Sequence, residues 1–229
     1  IFNRIGGERH MKILREAAAL AAPCVKVLGF VPRTIDLNLP DRHLGLIQAI
    51  EHDNLENFLN SAAFLVAEHI DIDELLSLAQ PLKSNDAGAP SPIAPLGQRI
   101  AIADDEAFSF RYSLILEGWK NEGAELSFFS PLDDQAPSAD VDAVYLPGGY
   151  PELHGYRLAS SNKFMDGLRQ AKDRGATVFG ECGGYMVMGK GLVDSKGHHH
   201  AMAGLLPLET SFAQRKLHLG YREVELDAD

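Results

Sequence analysis

Apolar positions recur mainly at helical spacing through residues 1–80, whereas beyond residue 98 short apolar runs alternate with helical stretches. In the first region, residues 10–21, 54–66 and 72–79 carry the helical period, the last with acidic residues in its first turn. Residues 25–31, VKVLGFV, read as a strand, and the opening IFNRIGGERH begins inside another. Residues 81–97, PLKSNDAGAPSPIAPLG, hold four of the twelve prolines among Ser, Asn, Asp and Gly, the composition of a linker. After it come strands at 99–103, 126–129, 141–146 and 176–179, with helices at 112–121 and 163–174 that stop near Gly123 and Gly175. This order predicts an α/β fold, a mostly parallel sheet with helices on both faces, whose sites lie at the carboxyl ends of the strands. From Met202 onward, runs such as KLHLGYREVEL suggest an antiparallel extension.

Composition narrows the partners. Of 229 residues, 45% are apolar, enough for a sizeable core, and the net charge of −11 comes without a long Lys/Arg run. Nucleic acid and anionic membrane surfaces both ask for a basic footprint and are excluded as main partners. No apolar run approaches the roughly 18 residues of a membrane span. Two cysteines, Cys24 and Cys182, make no disulfide framework, which points to a reducing cytoplasm. The amino terminus shows neither Met nor a signal-peptide pattern, so the chain is expected to be a piece of a longer protein.

The chemistry concentrates in two glycine-rich turns. In ATVFGECGGYMVMGKG, residues 176–191, Cys182 stands in a G-x-C-x-G turn between a strand and a helix-like segment. That is the layout of a nucleophile elbow, with Cys where hydrolases place Ser. Glycines flank such a turn because its strained backbone leaves no room for a neighbouring Cβ. The N–H groups at the helix start favour the thiolate, and the N–H of Gly183 can face a developing oxyanion. A lone G-x-C-x-G fits a buried structural cysteine equally well. The second turn, LPGGYPE, places Gly148, Gly149, Tyr150 and Glu152 at the end of the neighbouring strand. Gly149 or Tyr150 could donate the other oxyanion N–H, and two such turns on one crevice fit acyl transfer through a thioester. No histidine declares itself as the base. His198, His199 and His200 read as a solvated loop, His218 as a strand residue, and His154 either faces the crevice or belongs to a loop. Cys24 reads as core. No G-x-x-x-x-G-K-[ST] P-loop and no zinc spacing occur in the chain.

Several longer blocks, GECGGYMVMG, YLPGGYPELH, ADDEAFSFRY and AMAGLLPLETSF with KLHLGYRE, together resemble the glutamine amidotransferase domain, class I in type, of the cobyrinic and hydrogenobyrinic acid a,c-diamide synthases. IFNRIGGERH, LGFVPR and LPDRHLGL resemble the end of the ATP-dependent synthetase domain of the same family. The resemblance implies a flavodoxin-like amidotransferase domain at 98–229, a linker at 81–97, and at 1–80 the last part of a P-loop-type α/β synthetase domain. It implies amidation of the a and c acetate carboxylates of a corrin in cobalamin biosynthesis, with ATP and Mg2+ in the full-length protein and ammonia drawn from glutamine. Cobyric acid synthase is the related alternative; a non-catalytic module that kept the fold is the other. Carried onto this chain, Cys182 is the nucleophile, Gly149 and Gly183 supply oxyanion N–H groups, and Gly148, Tyr150 and Glu152 belong to the glutamine turn. Asn3, Arg4 and Pro32 fall near the nucleotide base, and residues 41–46 border the synthetase site. The family's P-loop would precede Ile1 and its catalytic His would follow Asp229. The chain alone is therefore expected to bind no ATP productively, to hold no metal and to turn glutamine over slowly, with a homodimer as a candidate assembly.

Overall fold

The computed structural model describes residues 1–35, 37, 49–81, 93–214, 220, 221 and 223. It divides into two compact units, Ile1–Asn85 and Asp86–Asp229. Most of the expected linker, residues 82–92, lies outside the described residues, as do residues 41–46 and His218.

In the first unit, β1 (Phe2–Ile5) pairs in parallel with β2 (Phe30–Pro32). The Phe2 and Phe30 rings stack at 5.3 Å, and the Arg15 guanidinium stands 5.0 Å from the Phe30 centroid. Three helices accompany them: α1 (Glu8–Ala21), α2 (Leu55–His69) and α3 (Ile72–Leu78). Asp71 caps α3 by accepting the Glu74 N–H at 2.9 Å. The second strand is shorter and later than the expected 25–31. Residues 22–28 form a turn and an irregular stretch in which Val25 is exposed, so only the residues that meet β1 are extended. Cys24 lies in that turn and is exposed, not core.

The second unit is built on four parallel strands in the order β4-β3-β5-β6, namely β3 (Arg99–Ala103), β4 (Glu125–Phe129), β5 (Ala143–Leu146) and β6 (Thr177–Gly180). The two central strands, β3 and β5, are covered on both faces and are apolar almost throughout, as expected for buried parallel strands. Ile100, Ile102, Ala143 and Tyr145 face Trp119 of α4 (Ser113–Asn121). Ala101, Ala103, Val144 and Leu146 belong to the larger core on the opposite face. That core is closed by α5 (Gly155–Ser160), the amphipathic α6 (Asn162–Asp173), and α7 (Gly183–Met188). The fold is mixed α/β with a mostly parallel sheet flanked by helices, as the alternation of elements indicates.

Beyond α7 a small sheet, β8-β7-β9, is formed by β7 (Gly191–Val193), β8 (His199–Ala201) and β9 (Glu209–Ser211). Only the β7–β8 pair is antiparallel; β9 runs parallel to β7, and most of KLHLGYREVEL lies outside the described residues. Of the three histidines expected in a solvated loop, His199 and His200 instead enter β8. His200 is largely buried under α5 and bonds through Nε2 to Asp194 at 3.0 Å, while His198 Nδ1 meets the same carboxylate at 3.2 Å. The i, i+6 spacing of Asp194 and His200 across a tight hairpin leaves no periodic signal in the sequence, which hides the pairing.

Two outcomes are expected. Gly184→Ala sets a methyl against the Leu146 carbonyl and should destabilise the unit by about 1–3 kcal/mol in urea unfolding. The hydrogen bond from His200 first, and then that from the backbone of His198, hold Asp194 well below the usual carboxylate range. A depressed carboxyl stabilises above its unfolded value of about 3.9 and loses that contribution as pH falls toward the folded one. Asp194→Asn should therefore lower the urea midpoint at pH 7, and its gap from the parent should close progressively below about pH 4.

Candidate active site

The carboxyl end of β6 runs into the elbow. Cys182 has φ 49° and ψ −109°, a left-handed φ that only Arg4 and Asp134 share among the described non-glycine residues. Three backbone bonds hold it there: Glu181 N–H to Leu146 O at 3.0 Å, Gly184 N–H to Glu181 O at 2.8 Å, and Met186 N–H to Cys182 O at 3.1 Å. Glycine is required on either side by space. A Cβ at Gly180 would stand 2.5 Å from Met188 Sδ, and one at Gly184 would run into the Leu146 carbonyl. The thiol-bearing residue itself is exposed.

The LPGGYPE turn folds directly against this elbow. A Cβ at Gly183 would lie 2.7 Å from Pro151 Cδ and 3.1 Å from Gly149 N. One at Gly148 would lie 3.4 Å from Cys182 Cβ. Among the described residues no backbone carbonyl takes the N–H of Gly149 or Gly183. Phe110 closes the side by donating its N–H to Gly148 O at 3.0 Å, an isolated antiparallel bridge. The loop before Phe110 is fixed by Asp105, which accepts from Ala107 N–H, Ser130 Oγ and Leu132 N–H at 2.8–3.0 Å.

Not every expected residue presents a side chain to this mouth. Tyr150 is 2% exposed, its ring packed edge-on to Phe110 at 5.1 Å, so its side chain serves the core. Glu152 is half-buried in the 3-10 turn Pro151–Leu153, with one carboxylate oxygen fully enclosed. His154 caps α5 through its carbonyl, and among the described residues no histidine bonds to Cys182. In the other unit Asn3, Arg4 and Pro32 come together with Arg33, Thr34 and Leu65 around a cavity of ≈ 300 Å³.

Three side chains at the elbow carry no signal in the sequence alone. Tyr145 donates its hydroxyl to Glu181 Oε2 at 3.1 Å, and Tyr112, just before α4, approaches the same carboxylate. Burial first, then the Glu181 charge, push the Tyr145 phenol well above its ordinary range. Tyr112 is pushed up by the Glu181 charge, by its hydrogen bond, and to a lesser degree by Cys182. Glu181 is the unremarked middle letter of G-x-C, and its partners lie 36 and 69 residues upstream, beyond the reach of local pattern.

An exposed thiol on a strained strand-to-helix turn, with two N–H groups nearby that no described carbonyl takes, is the equipment of a domain that attacks carbonyl carbon. Residues 99–228 match the profile of the CobB/CobQ-like glutamine amidotransferase domain, and the chain belongs to that family. It is 57% identical over 226 residues to hydrogenobyrinate a,c-diamide synthase of Brucella abortus biovar 1 (strain 9-941), covering 98% of this chain and 51% of that protein. Proteins of the same name from Rhizobium meliloti (strain 1021) and Rhodobacter capsulatus are 51% and 49% identical, over 98% and 99% of this chain and 51% of each relative. The chain thus spans about half the length of the curated relatives it matches.

The geometry carries one direct expectation. In native protein, iodoacetamide should alkylate both Cys24 and Cys182, read by peptide mass spectrometry. A Cys182 that reacts only after denaturation would contradict the exposed elbow.

Proposed function

We propose that this chain supplies the glutamine-hydrolysing part of an ATP-dependent synthase that amidates the a and c acetate carboxylates of hydrogenobyrinic or cobyrinic acid. The observation that carries the reading is the close seating of the Cys182 elbow on the Gly148–Gly149 turn, in a chain similar over nearly its whole length to hydrogenobyrinate a,c-diamide synthases. The Cys182 sulfur attacks the side-chain carboxamide carbon of glutamine, and the carbonyl oxygen gathers negative charge. The N–H groups of Gly149 and Gly183 receive that charge. Collapse of the tetrahedral intermediate breaks the C–N bond, a proton passes to the leaving nitrogen, and ammonia departs from a γ-glutamyl thioester. Water then releases glutamate. The cycle requires a general base; none of the described histidine side chains hydrogen-bonds Cys182, and the reading takes the base from outside the described residues.

The backbone of the turn at Gly148, Tyr150 and Glu152 walls the glutamine pocket. The cavity at Asn3, Arg4 and Pro32 is of a size for a purine base and offers polar side chains at its rim, which supports its assignment to the ATP base. ATP, with Mg2+, would convert each corrin carboxylate into an acyl phosphate for ammonia to attack. No seat for Mg2+ is assigned among the described residues. No described helix is long and apolar enough to cross a membrane, and the reading places the reaction in the cytoplasm.

In glutamine-dependent amidation of hydrogenobyrinate by the whole protein, Cys182→Ala should lower the rate by more than roughly a thousandfold. Ammonium salts should restore amidation to that variant, because only the nitrogen supply has been removed. Cys24→Ala should behave as the parent. Glutamine-dependent amidation undiminished in Cys182→Ala would refute the assignment.

A further inference from the structure

The carboxylate beside the nucleophile has no described counter-charge. Among the described residues, no Lys, Arg or His forms an ion pair with Glu181. Its described hydrogen-bond donor is a neutral phenol, Tyr145 at 3.1 Å, and a second phenol, Tyr112, half exposed, stands close enough to feel its charge. Tyr112 also feels Cys182, the residue that follows Glu181 at the elbow. Val187 and Met188 of α7 pack on one face of the sheet, whereas Glu181 meets Tyr145 on the other, which α4 covers. The rim on this second face is open and aromatic. Phe128, Ile102, Tyr145 and Phe179 form one cross-strand row, whose outer members Phe128 and Phe179 are about half exposed.

We propose that Glu181 is a specificity-determining residue that receives the α-ammonium group of the amino-acid amide whose carboxamide carbon reaches Cys182. This rests on the glutaminase reading and deepens it. A half-buried carboxylate whose described donor is a neutral phenol has no described cation already on it, and an ammonium seated there gains a charge-assisted hydrogen bond. Both phenols are held protonated well past neutrality, so they remain donors that aim the carboxylate instead of competing for the ligand as anions. Glu152, the other carboxylate of the site, turns an oxygen inward and is the poorer seat.

The probe is 6-diazo-5-oxo-L-norleucine, which bears both the α-ammonium and a carbon that alkylates the thiol; iodoacetamide is the reference without an ammonium. Cys182 labelling is followed by peptide mass spectrometry, and the ratio of the two rates is compared between parent and Glu181→Gln. The ratio should fall by about tenfold or more, the loss of one hydrogen bond to a charged group. Glu181→Asp, which keeps the charge, should retain most of it. Using the ratio cancels any general change in thiol reactivity or elbow shape. A ratio unchanged in Glu181→Gln overturns the proposal while leaving the glutaminase reading intact. Failure of the diazo-ketone to label Cys182 in the parent overturns both. A second measurement needs no variant: glutamine should protect Cys182 of the parent from iodoacetamide at concentrations about tenfold or more below those needed of 4-carbamoylbutanoate, which lacks the α-ammonium. Equal protection by the two would also overturn the proposal.

Discussion

Backbone pressed against backbone at three glycines is the constraint on which the rest of this site depends. Gly184 leaves room only for hydrogen against the Leu146 carbonyl, Gly149 does the same against Ala107 O, and Gly183 sits on Gly149 and Pro151. Together they stack the elbow on the end of β5 and the end of β5 on the loop after β3. Strain at Cys182 persists because these contacts over-determine it. Apolar packing beneath, from Val187 and Met188 of α7 to Leu146, fixes the helix that follows the turn. Sheet, glycines and cysteine are thus one mechanical unit, and the thiol is its exposed end.

Charge is arranged around that unit with few cations. Arg111 is paired with Asp104 at 2.7 Å and lies 5.9 Å from the Phe128 ring, so this guanidinium near the rim is engaged. Among the described residues the side chain of Glu181 accepts the Tyr145 hydroxyl and pairs with no cation. Among the described residues no cation pairs with Glu181 and no backbone carbonyl takes the N–H of Gly149 or Gly183, which is the basis on which a zwitterionic amide is proposed for this mouth. The Asp194–His200 pair serves the fold instead. It closes the β7–β8 hairpin against α5, whose first residue, Gly155, has no room for a Cβ beside the His200 ring.

Much of this is legible from residue order because parallel strands buried on both faces must be continuous apolar runs. RIAIA is the whole of β3, and α6 ends at Asp173, just before the Gly175 that announces its stop. The elbow is legible for the same reason: Gly180, Cys182 and Gly184 are near neighbours in the chain, and their spacing is itself the geometry. What stays hidden is whatever depends on distant partners. VKVLGFV has strand composition, yet only its end finds β1, so Val25 and Cys24 remain outside the sheet. His200 is buried by α5 and Asp194, neither of which its own neighbours foretell. Tyr150 carries the residue type of a binding turn but spends its ring on Phe110. Glu181 gives no sign in the sequence because its meaning comes from Tyr112 and Tyr145, brought to it by two different elements.

The account stands on covalent chemistry at one sulfur, and the thioester itself can be caught. The whole protein, incubated with glutamine, quenched in acid and digested, should yield the peptide bearing Cys182 with one γ-glutamyl group attached through sulfur and removable by hydroxylamine. Glutamine turnover with that peptide unmodified, and the γ-glutamyl group found on Cys24 or on no cysteine at all, would contradict it.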